Sequence, residues 1–112
     1  MSDCLFCKII AGDISSSKVY EDEKCYAFED INPAAPTHVL IIPKKHIAKI
    51  ADASDDDTLL LGHINLVASK IAQQRDLNDY RLVVNNGAGA GQSVFHLHLH
   101  LIGGRTMSWP PG

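Results

Sequence analysis

No apolar run in this 112-residue chain approaches the roughly 20 residues that span a bilayer, which excludes a membrane-spanning helix. The opening segment, MSDCLFCKIIAGD, is too short and too polar for a secretory signal, so a soluble cytoplasmic protein is expected. There are three cysteines, an odd number without a signal, and they make no disulfide framework. Excess charge is also small. A net charge of −3 and a pI near 6.0 argue against a partner dominated by nucleic-acid backbone, although a local positive pocket stays compatible with both. Repeats, low-complexity tracts and linkers are missing too, so residues 1–112 read as one domain. The apolar content of 46% and charged content of 21% are ordinary for a globular protein that buries a modest core.

What is present follows a simple order. LFCKIIAG reads as a short helix stopped at Gly12. KVYEDEKCYAFED reads as two strands around a charged turn at Glu21–Glu23. INPAAPTH is a loop punctuated by Pro33 and Pro36, and HVLIIP is an apolar run of central-strand type closed by Pro43. SDDDTLLLGHINLVASKIAQQRDL is the one long helix, with Ser54 as cap and Asp55, Asp56 and Asp57 at its positive end. Leu60, Ile64, Val67 and Ile71 form its apolar stripe, whereas Leu59, Leu61 and Leu66 fall outside it and point to a dimer interface or to deeper burial. YRLVVNN is a further strand. The pattern predicts an α+β fold with a five-stranded antiparallel sheet, one long helix and a short N-terminal helix.

The segment VFHLHLHLIGG, residues 94–104, carries the strongest chemical signal. Strict alternation predicts a strand over 94–102, with Leu97, Leu99 and Leu101 on one face and His96, His98 and His100 on the other. Along such a strand, neighbouring imidazoles lie about 6.6–6.8 Å apart. Histidine is not a preferred strand residue, so the row points to a metal site or to a nucleophile with supporting imidazoles. His38, at the start of the central strand, becomes a fourth imidazole if the two strands pair; alone it reads as a loop-end histidine. NNGAGAGQS, residues 85–93, is a glycine-rich connection whose amides could approach an anion. It has no G-K-[ST] and is not a Walker loop. A phosphate could sit between a histidine nucleophile, Ser93 and the amides of Gly91 and Gln92. Cys4 and Cys7 form C-x-x-C, a zinc half-site, a redox pair or two buried thiols. Cys25 reads as core, and His63 as structural or interfacial.

HLHLHLI, residues 96–102, matches H-φ-H-φ-H-φ-φ with φ apolar, and the chain resembles the histidine triad (HIT) superfamily. FEDINPAAPTHVLIIPKKHI, GAGAGQSVFHLHLH and the ending LIGGRTMSWPPG are similar to its Hint branch. The resemblance implies a HIT-like fold and a homodimer with joined sheets. It implies hydrolysis of purine nucleoside phosphoramidates, typically adenosine 5′-monophosphoramidate, to AMP and an amine, with no cofactor for catalysis. In that frame His98 attacks phosphorus to give a nucleotidyl-histidine. His100 and Ser93 hold the phosphate and leaving nitrogen, while His96 and His38 orient the others. Asp30 holds the ribose near Ile31, and Asn85 and the backbone of Gly91, Gln92 and Ser93 contact ribose or phosphate. Phe6, Ile9 and Ile14 match the apolar base pocket, and the tail with Trp109 resembles a segment that approaches the partner's site. Related galactose-1-phosphate uridylyltransferases hold zinc with a set matching Cys4, Cys7, His46 and His96 here. That implies a structural zinc for which His96 is a ligand.

Three rivals stand beside this reading. One is a zinc hydrolase whose metal is held by two strand histidines and His38. Another is a Fhit-type hydrolase of dinucleoside polyphosphates, against which the GGR…WPPG ending argues. The third is a non-enzymatic nucleotide-binding scaffold. Neither nucleic acid nor a membrane is an expected partner.

Overall fold

The run Thr37–Pro43 is buried at every position in the computed structural model, which describes residues 3–112. Met1 and Ser2, which open the segment read as too polar for a signal, lie outside the described residues. Thr37–Pro43 is β3, the middle strand of a five-stranded antiparallel sheet in the order β1-β2-β3-β5-β4. The others are β1 (Lys18–Glu21), β2 (Cys25–Glu29), β4 (Tyr80–Val83) and β5 (Leu99–Gly103). The helices are α1 (Leu5–Ala11) and α2 (Thr58–Gln74). A strand covered on both faces needs successive apolar side chains, and HVLIIP supplies them.

Each face of the sheet has its own helix. On one side α2 packs Ile64, Val67, Ala68 and Ile71 against Cys25, Ala27, Val39, Ile41, Leu99 and Leu101. On the other side Phe6 and Ile9 of α1 pack against Tyr26, Phe28, Leu40 and Ile42. The alternation in β5 thus sends Leu99 and Leu101 toward α2 and His100 to the opposite face. Gly12 ends α1 with φ +85, the left-handed conformation that glycine adopts without strain. At the other helix, a 3-10 turn over Asp55–Asp57 precedes α2, and the Ser54 N–H donates to Asp57 Oδ2 at 2.9 Å in a capping box.

Three local expectations change. The histidine strand predicted from residue 94 joins the ladder only at Leu99. Before that, the Leu97 N–H donates to the Ile47 carbonyl at 2.6 Å, outside any strand pairing. The YRLVVNN strand stops at Val83, and Asn86 leaves it to accept the Ala51 N–H at 2.8 Å. Of the three α2 leucines outside the stripe, Leu61 packs partly on the core, whereas Leu59 and Leu66 stand 89% and 64% exposed. Among the described residues, no helix is long and apolar enough to cross a membrane.

One carboxylate ties the first hairpin to α2. Asp22 Oδ1 accepts the N–H groups of Lys24 and Cys25 at 2.8 and 2.9 Å. Its Oδ2 accepts from Tyr20 Oη and from His63 Nε2, both at 2.7 Å. Burial opposes the charge, but these donors together hold the carboxyl well below its ordinary value of 3.8. A carboxyl depressed in the folded state stabilises the fold above its unfolded pKa, and the contribution is lost as pH falls toward the folded one. Asp22→Asn should therefore lower stability by about 2 kcal/mol at neutral pH. Urea melts should show that gap shrinking below about pH 4, and a pH-independent gap would rule out the charge as its source.

Candidate active site

His98 lies one residue before β5 and is 8% exposed. Its Nδ1 is 2.7 Å from the His96 carbonyl oxygen. A carbonyl only accepts, so Nδ1 carries the proton and Nε2 carries the lone pair. The Phe6 ring meets the imidazole edge-on at 5.1 Å between centroids and restricts its rotation. Burial lowers its pKa, which keeps the ring neutral. A neutral imidazole held in this tautomer is an activated nucleophile at Nε2.

The same logic runs through the next pair. The Ala34 N–H donates to His38 Nδ1 at 2.9 Å, so the His38 proton is on Nε2. That Nε2–H faces His100 Nδ1 at 2.9 Å and Asp30 Oδ2 at 3.3 Å. His100 accepts at Nδ1 and therefore bears its own proton on Nε2. This Nε2 is buried and has no hydrogen-bond partner among the described residues. An unmatched buried donor costs about 1–3 kcal/mol, a cost an incoming phosphate oxygen would remove. Asp30, His38 and His100 bring ligand atoms within 4.8 Å of one another, but the Ala34 N–H leaves the His38 proton on Nε2, so in this tautomer His38 turns no free lone pair toward that group. Burial first, then the neighbouring His98 and His38, pushes His100 down to about 4.

His96 turns elsewhere. Its Nε2–H donates to the Pro43 carbonyl at 2.8 Å, which leaves a lone pair on Nδ1. Nδ1 faces Cys4 Sγ at 3.3 Å, Cys7 Sγ at 3.5 Å and His46 Nδ1 at 3.2 Å. Cys7 Sγ lies 3.4 Å from His46 Nδ1, and the four ligand atoms fall within 4.8 Å of one another. Zinc bonds of about 2.0–2.3 Å place tetrahedral ligand atoms about 3.3–3.8 Å apart, so the donor set fits zinc in type and spacing. The helix makes the pair possible: Cys4 is the N-cap of α1 and Cys7 follows one turn later, donating its N–H to Cys4 Sγ at 3.3 Å. Burial lowers the His96 pKa, which suits a neutral ligand.

The glycine-rich connection is held from inside. Gln92 is 3% exposed; its Oε1 accepts the Gly87 N–H at 2.8 Å and its Nε2 donates to the Ala48 and Val94 carbonyls at 2.8 and 3.1 Å. The Gly91 and Gln92 amides, expected to face a phosphate, donate instead to Ala88 and Gly87 carbonyls at 3.0 and 3.1 Å. Their role is to shape the turn, for which Gly91 adopts φ +99. Ser93 follows as an exposed residue on a cleft of about 510 Å³ that also borders Cys4 and His46. Asn85 is half-buried with its amide beside Gly91. Asp30 Oδ1 accepts the Asn32 N–H at 2.8 Å, while its other oxygen faces His38. Phe6 and Ile9 are buried, Ile14 packs at their edge, and Ile31 and Trp109 are exposed. The anchoring groups of Ala34, Pro43 and Ile47 are main-chain atoms, which leave no mark in a sequence.

A neutral imidazole with its Nε2 lone pair left open, beside a second imidazole with a buried Nε2–H, is the arrangement at the start of β5. The particular family follows from comparison: the HIT domain matches residues 11–107, and this chain belongs to that family. It is 57% identical to a HIT family hydrolase from Legionella pneumophila Philadelphia 1, whose crystal structure superposes with a TM-score of 0.96 over 98% of this chain and 100% of that one. It is 53% identical to a HIT-like protein of Synechocystis sp., over 98% of this chain and 97% of the relative. It is 51% identical to a protein of Zea mays named 14 kDa zinc-binding protein, over 99% of this chain and 89% of that one.

A lowered pKa means that His100 stays neutral until the pH falls to about 4. A ring-proton NMR titration should place its midpoint well below the ordinary histidine value of 6.5, and a midpoint at or above that value would break the buried-donor assignment.

Proposed function

We propose that this protein hydrolyses purine nucleoside 5′-phosphoramidates, with adenosine 5′-monophosphoramidate as the type substrate, through a covalent nucleotidyl-histidine on His98. The observation that carries the proposal is the bond from His98 Nδ1–H to the His96 carbonyl, which leaves Nε2 as the attacking lone pair. In the first half, Nε2 bonds to the α-phosphorus as the P–N bond breaks, and the leaving nitrogen departs as the amine after taking up a proton. The ring gains positive charge, which the His96 carbonyl dipole stabilises through Nδ1–H. His100 Nε2–H and Ser93 supply hydrogen bonds to phosphate oxygens or the leaving nitrogen, each worth about 10²–10³ in rate. In the second half, water attacks the same phosphorus, releases AMP, frees His98 and returns the proton taken up before.

The remaining assignments rest on the resemblance. Asp30 and Ile31 serve the ribose, Phe6, Ile9 and Ile14 the base, and Asn85 and Ser93 the ribose and phosphate. Gly91 and Gln92 act by shaping the loop that carries Ser93. Cys4, Cys7, His46 and His96 hold a structural zinc, which would tie α1 to the segments before and after the sheet's central strands. The name of the Zea mays relative supports that metal. A homodimer fits the exposed Leu59 and Leu66 on α2 and the edge position of β4, because unpaired apolar surface and strand edges favour association.

Label from radiolabelled adenosine 5′-phosphoramidate, quenched in alkali within milliseconds to seconds, should appear on wild-type protein and chase to AMP. His98→Ala should lose at least about 10³-fold in turnover and all label, while still binding AMP. Turnover retained in that variant would exclude the covalent route. Faster cleavage of a dinucleoside polyphosphate would move the assignment to the Fhit type, and AMP binding without any turnover to a scaffold. Sedimentation at micromolar concentration should give a dimer, and Leu66→Asp should shift it toward monomer. A monomeric wild type would leave the exposed leucines without that role.

A further inference from the structure

We propose that the Cys4–Cys7–His46–His96 centre sets the tautomer and position of the nucleophile, with His96 as the positioning residue that joins them. This rests on the reading of His98 as nucleophile and goes beyond a purely structural metal. His96 faces the centre with one atom and the nucleophile with another. Its side-chain Nδ1 lies 3.2–3.5 Å from Cys4 Sγ, Cys7 Sγ and His46 Nδ1. Its carbonyl oxygen accepts the His98 Nδ1–H at 2.7 Å.

The coupling is strong because the sheet does not hold this stretch. β5 begins at Leu99, so residues 94–98 lack ladder hydrogen bonds. Three anchors hold residues 96 and 97 instead: His96 Nε2–H to the Pro43 carbonyl, Leu97 N–H to the Ile47 carbonyl, and the Nδ1 contacts with the centre. The first ties the stretch to the last residue of β3, and the second to the segment after it, which carries His46. Of these three, only the third reaches the first turn of α1, through Cys4 and Cys7. The same helix supplies Phe6, whose ring meets both His96 and His98 edge-on at 6.0 and 5.1 Å. Loss of a bound metal therefore leaves α1 joined to residue 96 by the Phe6 ring alone and shifts the carbonyl that selects the His98 tautomer. A neutral imidazole without that acceptor populates both tautomers, and the one protonated at Nε2 cannot attack. The expected effect falls on the chemical step rather than on nucleotide binding, because none of the four ligands is assigned to the ribose or base.

The test uses full-length protein with ¹⁵N-labelled histidine, loaded with Zn²⁺, stripped by a chelator and reloaded, with metal content measured by mass spectrometry. Long-range ¹H–¹⁵N spectra read the His98 tautomer directly, and stopped-flow kinetics separate kcat from KM. The loaded protein should hold His98 solely as the Nδ1–H tautomer. Stripping should give a mixture and lower kcat about 10-fold to 100-fold with KM changed less than about twofold, as small misplacements of a reacting group do. Reloading should restore both. If stripping unfolds the chain, His46→Gln decides, because that side chain is exposed and three ligands remain. Its mixed tautomer and lowered kcat should be corrected by excess Zn²⁺. A centre that takes up no Zn²⁺, or a His98 tautomer indifferent to metal in the folded protein, overturns the proposal. A metal-dependent tautomer in a protein that does not cleave phosphoramidates would sustain the coupling and sink the substrate assignment instead.

Discussion

His96 donates its Nε2–H to the Pro43 carbonyl across 2.8 Å, and much of the site hangs on that bond. It pins a stretch that has left the sheet back onto the end of the central strand. It fixes the ring so that Nδ1 turns toward two thiols and a second imidazole. Together with the Nδ1 contacts it places the main chain so that the carbonyl of His96 itself accepts from His98. Pro43 closes β3 and follows a run of fully buried residues, so the acceptor is as rigid as the core. Two chemical environments, one rich in sulfur and one rich in nitrogen, thus share one immobile reference point.

The sheet makes this economy possible by being covered on both sides. α2 takes the leucine face of β5, and α1 packs on the opposite face of the sheet. Phe6 is part of an apolar cluster and also touches His96 and His98, so His98 sits where apolar packing and polar groups meet. Dry surroundings lower the pKa of His96, His98 and His100 together. Neutral rings can be ordered by donor-to-acceptor matching alone. Charged rings would repel one another and scramble that order.

Much of the fold was legible in the sequence because its signals are local. The apolar run HVLIIP, the stripe of Leu60, Ile64, Val67 and Ile71, and the glycine after LFCKIIA each specify an element without distant help. The alternation in HLHLHL was also legible as a sorting of faces, and that sorting holds for Leu99, His100 and Leu101. It failed as a strand boundary. Over residues 96–98 all three side chains are buried, and His96 and Leu97 answer to the Pro43 and Ile47 carbonyls instead of a neighbouring strand. Likewise, the glycines around residue 91 announced a flexible connection, but not that Gly91 and Gln92 would direct their amides inward. Such outcomes depend on main-chain acceptors brought in by the tertiary fold. For the same reason the anchoring of His38 by the Ala34 N–H could not be foreseen.

Histidine is the one side chain that could fill all four positions, and for a different reason at each. His96 must donate at one ring nitrogen and offer a lone pair at the opposite one. Lysine has no lone pair when charged, and an amide carries donor and acceptor on one side rather than across a ring. His38 and His100 need the same two-ended character to pass polarity from the Ala34 N–H to the buried Nε2–H of His100, a span no single amide bridges. His98 keeps an open lone pair at Nε2 while its far side stays anchored through Nδ1–H. A row of identical residues therefore does not imply a shared role. Each ring is set by the first fixed acceptor or donor it meets, which is a carbonyl for His96 and His98, an amide for His38, and another imidazole for His100.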